Sequence, residues 1–347
     1  MSIKKYKLTL TTASNLHIGS GEVITSLDYY LDEENYFYFI HEDRLIEELV
    51  KKNLEKDYIS RILQKTTNQS RDIQKILSDI GIYNVKSYCR YGIEGFLDDT
   101  NSNIRRKYRP IQRFLRHPEG GVYIPGSSIK GFLSNVLGID TKDEQSGKLG
   151  KYIQIADSAE ISNDDLCITS VSYYKELKDP QKSVLPNDGQ SNYIECIRPD
   201  VRISFMISID TTYITIDKIV SRIRTMNENY YNAYLSRFFG NTDTIQFDNQ
   251  IDTFKALSFD VFHLGKNTNF LWKTKYLHRP KLNHQSLFND ILQANNNRLQ
   301  FPGKIAQRCQ LEAQNKTLFP LCLKTSLCED GLYRENGICS YQIEEIL

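Results

Sequence analysis

The sequence predicts an α+β protein in two parts, and three observations carry that expectation. A chain of 347 residues is longer than one core usually holds, so two domains are expected. Segments of alternating apolar residues and segments of helical apolar spacing follow one another as strand, helix, strand in both halves. His17-Ile18-Gly19 and His263-Leu264-Gly265 each follow a predicted strand, and together with that order they point to a duplicated domain. The boundary is placed at residue 160, giving parts 1–160 and 161–347.

The first part opens with an alternating strand over residues 3–12, in which Ile3, Tyr6, Leu8 and Leu10 stand among lysines and threonines. It empties into the glycine-rich run Leu16 to Glu22, expected as a loop. Strands follow over Val23–Leu31 and Asn35–Ile40, turning at Asp32 to Asn35. Leu45, Ile46, Leu49 and Val50 give a helix over Asp43–Lys52 its apolar face. Residues 53–81 carry two further apolar faces about a polar connection at 65–70 and are expected as a helical insertion. A strand lies within Tyr83–Leu97, followed by a polar loop at 98–103 and the basic run Ile104 to His117, with Tyr108 and Phe114 between its cations.

Next comes Tyr123-Ile124-Pro125-Gly126-Ser127-Ser128-Ile129-Lys130-Gly131-Phe132-Leu133, an apolar strand end running through Pro-Gly into an amphipathic helix. Ser127 or Ser128 suits an N-cap, and amides with Lys130 at a positive helix end suit a phosphate. The same pattern also describes an ordinary capped helix. It is not a nucleotide-binding P-loop, since Lys130 precedes its glycine and Phe132 stands where the hydroxyl belongs.

A charged linker at 140–150 leads to strands at 153–157 and 165–174, with a polar loop at 175–191 after them. Tyr193–Ile197 and Val201–Asp210 read as a strand pair about Arg198-Pro199-Asp200. A helix runs over Ile216–Phe239 and stops at Gly240-Asn241. Then come the strand and loop of Ala256–Asn267, a helix over Ser286–Asn295, Pro302-Gly303-Lys304 and closing strands in 318–343.

Composition narrows the function. The net charge is +1, so a nucleic-acid surface has to be a local patch. None of the seven cysteines forms Cys-x-x-Cys, no Cys/His cluster has zinc spacing, and the odd count fits reduced thiols. No export-type apolar stretch or membrane-length run is present, so a cytoplasmic protein without cofactor or metal is expected. Basic residues interleaved with aromatics, as at Arg105, Arg106, Lys107 and Arg109, suit an RNA backbone, although a solvated charged segment looks the same.

The strand into His17-Ile18-Gly19-Ser20-Gly21, with Ile124-Pro125-Gly126-Ser127-Ser128-Ile129-Lys130-Gly131, resembles the RAMP proteins of CRISPR-Cas systems. The Leu264-Gly265-Lys266 loop, Lys273-Thr274 and the tail from Pro320 to Ile343 resemble more narrowly the fifth-subunit family of the type III-A Csm effector complex. The resemblance implies two ferredoxin-like (RRM-type) domains with antiparallel sheets. It implies a subunit that caps the backbone filament, binds the 3′ portion of the CRISPR RNA and supports its maturation. Implied partners are the backbone, small and large polymerase-nuclease subunits, and host nucleases. No RNP-type stacking signature is present, so contact is expected from His17, Gly19, Ser20, Gly21, Gly126, Ser127, Ser128, Lys130, Gly131, Gly265, Lys266 and Lys273 together with the basic run. Two enzymatic alternatives are RNA processing with His17 as general acid/base and metal-assisted cleavage by Asp28, which itself reads as part of a strand. An adaptor that recruits host nucleases is the third alternative.

Overall fold

The computed structural model describes residues 2–63, 72–97, 109–139, 151–175, 193–235, 259–278 apart from 269 and 274, 286, and 322–346. The expected connections at 65–70, 98–103, 140–150 and 176–191 lie outside these, as do Ile104 to Tyr108, Gly240-Asn241, all but the first residue of Ser286–Asn295, and Pro302 to Lys304.

The structure mixes helices with antiparallel and parallel strand pairs. Strand β1 (Ile3–Thr12) alternates as expected, burying Tyr6, Leu8, Leu10 and Thr12 and turning Lys5 and Lys7 to solvent. It is the centre of a five-stranded sheet with β7 (Ile153–Ile155), β10 (Arg202–Asp210), β11 (Val261–His263) and β14 (Ile338–Ile346), in the order β11-β14-β1-β10-β7. All its pairings are antiparallel, with Leu8 opposite Phe205 and Leu10 opposite Ile203. Residue 160, the expected boundary, falls inside this arrangement: β1 lies between β10 and β14, both from beyond it.

Two helices supply buried side chains to the core of this sheet. Helix α4 (Gly126–Val136) buries Ile129, Phe132, Leu133 and Val136, while α5 (Ile216–Ala233) buries Ile219, Ile223, Met226 and Tyr230. Each set recurs at three- and four-residue spacing, so one stripe of each helix meets the core. Thr215 caps α5 by accepting from the Lys218 amide at 3.3 Å.

The second sheet has nine strands. Its main path is β2 (Gly19–Ile24), β6 (Ile111–Phe114), β9 (Tyr193–Ile197), β8 (Leu166–Lys175), β5 (Cys89–Phe96), β4 (Tyr36–Ile40) and β3 (Tyr29–Leu31), with β12 (Cys322–Leu327) and β13 (Tyr333–Glu335) joined through β8. The β5–β8 and β6–β9 pairs are parallel. Helix α1 (Glu42–Lys51) answers the helix expected over Asp43–Lys52, and α2 (Glu55–Leu63) and α3 (Ile73–Asp79) fall within the helical stretch expected over 53–81; a separate cluster of Leu45, Leu49, Ile73 and Leu77 joins α1 and α3.

Three local expectations are corrected. Gly19-Ser20-Gly21 begins strand β2 rather than forming a loop; the register against β6 shifts between Gly19 and Val23, and Gly21 has φ +89°. Val23–Leu31 is two strands, split by a turn in which the Asp28 carboxylate accepts from the Thr25 amide and hydroxyl, both at 2.7 Å. β9 and β10 do not pair. The segment between them, where Asp200 has φ +66°, passes the chain from the second sheet to the first.

Candidate nucleic-acid interface

Three chain segments meet where the two sheets join, and glycine lets them approach. Gly265 has φ +87°, and a Cβ there would stand 2.3 Å from the carbonyl oxygen of His17. That carbonyl instead accepts from the Lys266 amide at 2.8 Å, so the two His-x-Gly segments noted in the sequence lie against each other. Gly337 repeats the device with φ +79°; a Cβ would stand 2.0 Å from the Leu264 carbonyl, and its amide donates to Asn15.

Beside this junction a cavity of about 540 Å³ opens onto helix α4. Gly19, Ser128, Gly131, Gly265 and Lys266 line it, so five of the expected contact residues share one cavity. Aromatic rings pack behind its lining. Phe132 stacks on Phe262 with centroids 4.4 Å apart, and His263 stacks on Trp272 at 4.0 Å. Ser134, Asn135, Thr268 and Trp272 also line the cavity and were not foreseen. Trp272, the chain's sole tryptophan, follows the Gly265-Lys266 segment closely; that proximity was the signal available for it.

His17 lies against Gly19, fully buried. Its Nδ1–H donates to the Glu195 carbonyl at 2.7 Å, which leaves Nε2 unprotonated and without a partner among the described residues. Burial lowers its pKa to about 4; the bond to Glu195 pulls the other way, and Lys266 adds to the lowering. The ring is neutral at pH 7. Burial likewise holds His263 well below its ordinary value, and its Nε2 faces Asn227 Oδ1 at 3.1 Å. Because the Asn227 amide nitrogen donates to the Phe259 and Val261 carbonyls, that oxygen accepts and His263 carries its proton on Nε2.

The start of α4 differs from the expected phosphate site. The cap residue is Pro125, neither serine being in that position, and the helix begins at Gly126. The Gly126 amide donates to Asp157 Oδ1 at 2.8 Å, and the Ile124 amide donates to Ser158 Oγ at 2.9 Å. The chain's own carboxylate therefore answers the positive helix end. Gly126 is needed for contact, since a Cβ would stand 2.3 Å from the Ile155 carbonyl. Ser127 is exposed and Lys130 half-buried, and neither lines the cavity.

The remaining expected residues lie apart. Ser20 Oγ donates to the Arg113 carbonyl and accepts from the Glu22 amide. Arg109 lies over the Tyr193 ring, 5.6 Å from its centroid. Two further cations of the basic run are paired within the fold. Arg113 meets Glu22 at 3.0 Å, and Arg116 meets the fully buried Glu195, whose other oxygen accepts from the Phe114 amide. Arg105, Arg106 and Lys107 lie outside the described residues, and the side chain of Lys273 is not described. No group of three or more His, Cys, Asp or Glu among the described residues is arranged to hold a metal ion.

The chain matches the RAMP superfamily model over residues 9–271. It is 31% identical over 137 residues to the CRISPR system Cms protein Csm5 of Streptococcus thermophilus, a match that spans 39% of this chain and 38% of that relative. To the Csm5 protein of Enterococcus italicus it is 27% identical over 249 residues, 67% of each chain. Among solved structures, the T. onnurineus Csm5 crystal structure gives a TM-score of 0.56 at 18% identity, covering 78% of this chain and 93% of that one. A chain of a Csm-crRNA-target RNA ternary complex, from a type III-A CRISPR-Cas system, gives 0.62 at 16% identity, covering 99% and 100%. At these identities the two structures speak for the fold.

Proposed function

Since the chain belongs to the RAMP superfamily, we propose that it is a non-catalytic CRISPR RNA-binding subunit of a cytoplasmic type III-A (Csm) effector complex. In this reading it caps the complex at the 3′ portion of the guide and supports CRISPR RNA maturation. Its partners are the backbone, small and large polymerase-nuclease subunits, with host nucleases recruited to the assembly. The observation that carries RNA binding is the convergence of Gly19, Ser128, Gly131, Gly265 and Lys266 on one cavity from segments far apart in sequence. Bare backbone, hydroxyls and a lysine beside apolar lining suit a sugar-phosphate chain and its bases.

The ferredoxin-like expectation has its support in the five-stranded sheet. β1, α4, β7, β10, α5 and β14 follow one another as βαββαβ with strand order β14-β1-β10-β7, and we read them as one such unit. The second sheet and its helices take the place of the other expected unit. Against catalysis stand the burial of His17, its low pKa, and the occupation of Asp28 by its own turn.

The test is a filter-binding titration of single-stranded repeat RNA at several salt concentrations. Lys266→Ala and Lys130→Ala should each weaken binding whatever the sequence. Each should reduce the slope of log K against log salt by about 0.7 if its cation neutralises one phosphate. Unchanged affinity and slope in both variants would remove the role proposed for this face. Shortening of labelled RNA by the purified chain, abolished in His17→Ala, would favour the enzymatic alternative instead.

A further inference from the structure

The glycine at position 131 is unexplained by the chain itself. It sits in the middle of α4, where glycine costs about 1 kcal/mol relative to alanine. The other glycine of this helix, Gly126, is held against the Ile155 carbonyl, but a Cβ at Gly131 would meet nothing within 4 Å. Gly131 is exposed on the wall of the cavity, so the space left by its missing side chain is part of that cavity.

The surroundings say what kind of group would use the space. Phe132 and Trp272 are each less than a tenth exposed and already packed on Phe262 and His263, so only a strip of each ring reaches the cavity and gives it an apolar part. Ser128, Ser134 and Thr268 carry hydroxyls at its wall, and the exposed Lys266 gives it a cation. A volume of about 540 Å³ is within the range of small-ligand pockets, ~300–1,000 Å³. A flat apolar ring with a polar edge and an attached anion matches this mixed lining; a backbone phosphate alone would leave its apolar part unused.

We infer that the cavity receives one unstacked nucleoside of the bound RNA, lying on the bare Cα of Gly131 against Phe132 and Trp272, with its phosphate towards Lys266 and Ser128. The inference rests on the RNA-binding reading and adds that one base is withdrawn from the strand at this place. It also assigns Gly131 as a residue whose lack of a side chain admits that base.

Trp272 makes the test direct, because it is the only tryptophan in the chain. Its emission, excited where tyrosine is silent, is followed while the full-length protein is titrated with single-stranded repeat RNA. A matching set of oligonucleotides carries one abasic ribose at each position in turn. The expected result is quenching of Trp272 by intact RNA, with one abasic position that abolishes the quench. That position should weaken binding about 5-fold, the lower end of the range for one base–aromatic stack, because the rings are largely covered.

Gly131→Leu should put a side chain where the base would lie, produce a similar loss with intact RNA, and make the abasic position indifferent. Its salt slope should stay native. Because the Cβ meets open space, Gly131→Ala and Gly131→Leu should melt no lower than the native chain, so a binding loss is not an unfolding loss. RNA that binds without moving Trp272 emission, a flat abasic scan, or native affinity in Gly131→Leu would each overturn the pocket while leaving RNA binding intact. Failure of the native chain to bind RNA at any salt would overturn the RNA-binding reading and the pocket with it.

Discussion

At the scale of single residues, His17 shows how a side chain singled out for chemistry can serve packing. Its neutral ring is fixed by the Glu195 carbonyl, and Glu195 is itself tied to Arg116. A histidine held at about 4 in the fold, against an ordinary value near 6.5, binds fewer protons folded than unfolded between those values. Its contribution is therefore fully present above about pH 6.5 and is lost as pH falls towards 4. Urea unfolding across this window should show stability falling with acid, by roughly 3 kcal/mol from this residue if fully expressed. His17→Asn keeps an N–H for the carbonyl and removes the titration, so its profile should be flatter; an unaltered slope would mean that His17 is not the titrating group. His263 acts in the same direction and leaves a residual slope.

At the scale of elements, the junctions depend on backbone that only glycine tolerates. Gly265→Ala combines a left-handed φ with a contact on the His17 carbonyl and should cost about 1–3 kcal/mol. A lower thermal midpoint together with weaker RNA binding would follow; a native midpoint would mean that the segment relaxes freely. At the start of α4, Asp157→Ala removes the acceptor of the Gly126 amide and should cost about 1 kcal/mol in denaturant melts. Much at this scale was readable in the sequence: the alternation of β1, the helical stripes of α4 and α5, and the likeness of the two His-x-Gly segments. What was not readable was the answer to the helix end. Pro125-Gly126-Ser127-Ser128 looks like a self-capping anion site, and the carboxylate that fills it lies 31 positions away, on a segment that meets the helix only after folding. Likewise Arg113 and Arg116 look free in a basic run until Glu22 and Glu195 are brought beside them.

At the scale of the whole molecule, the sequence order of strands misleads about their grouping. Adjacent β9 and β10 look like a hairpin because both are apolar and a proline-containing turn separates them, yet each is satisfied in a different sheet. Local pattern sets which face of a strand is buried but not which partner it finds. Both sheets draw strands from either side of residue 160, so residues 1–160 expressed alone should lack the β10 and β14 partners of β1. Amide exchange in that fragment should find β1 unprotected, whereas slow exchange there would show that the first part closes its own sheet.

The central place of β1 also sets the order of events during synthesis. The strand leaves the ribosome more than 300 residues ahead of β14, which covers one of its edges. At ~5–20 residues per second, that edge stays unpaired for roughly 15–65 s. Lys4, Lys5 and Lys7 lie within the waiting strand, and charged side chains of this kind oppose pairing with other nascent chains. The lysines that alternate with the core residues of β1 thus act in time as well as in space, guarding the strand until its last neighbour arrives.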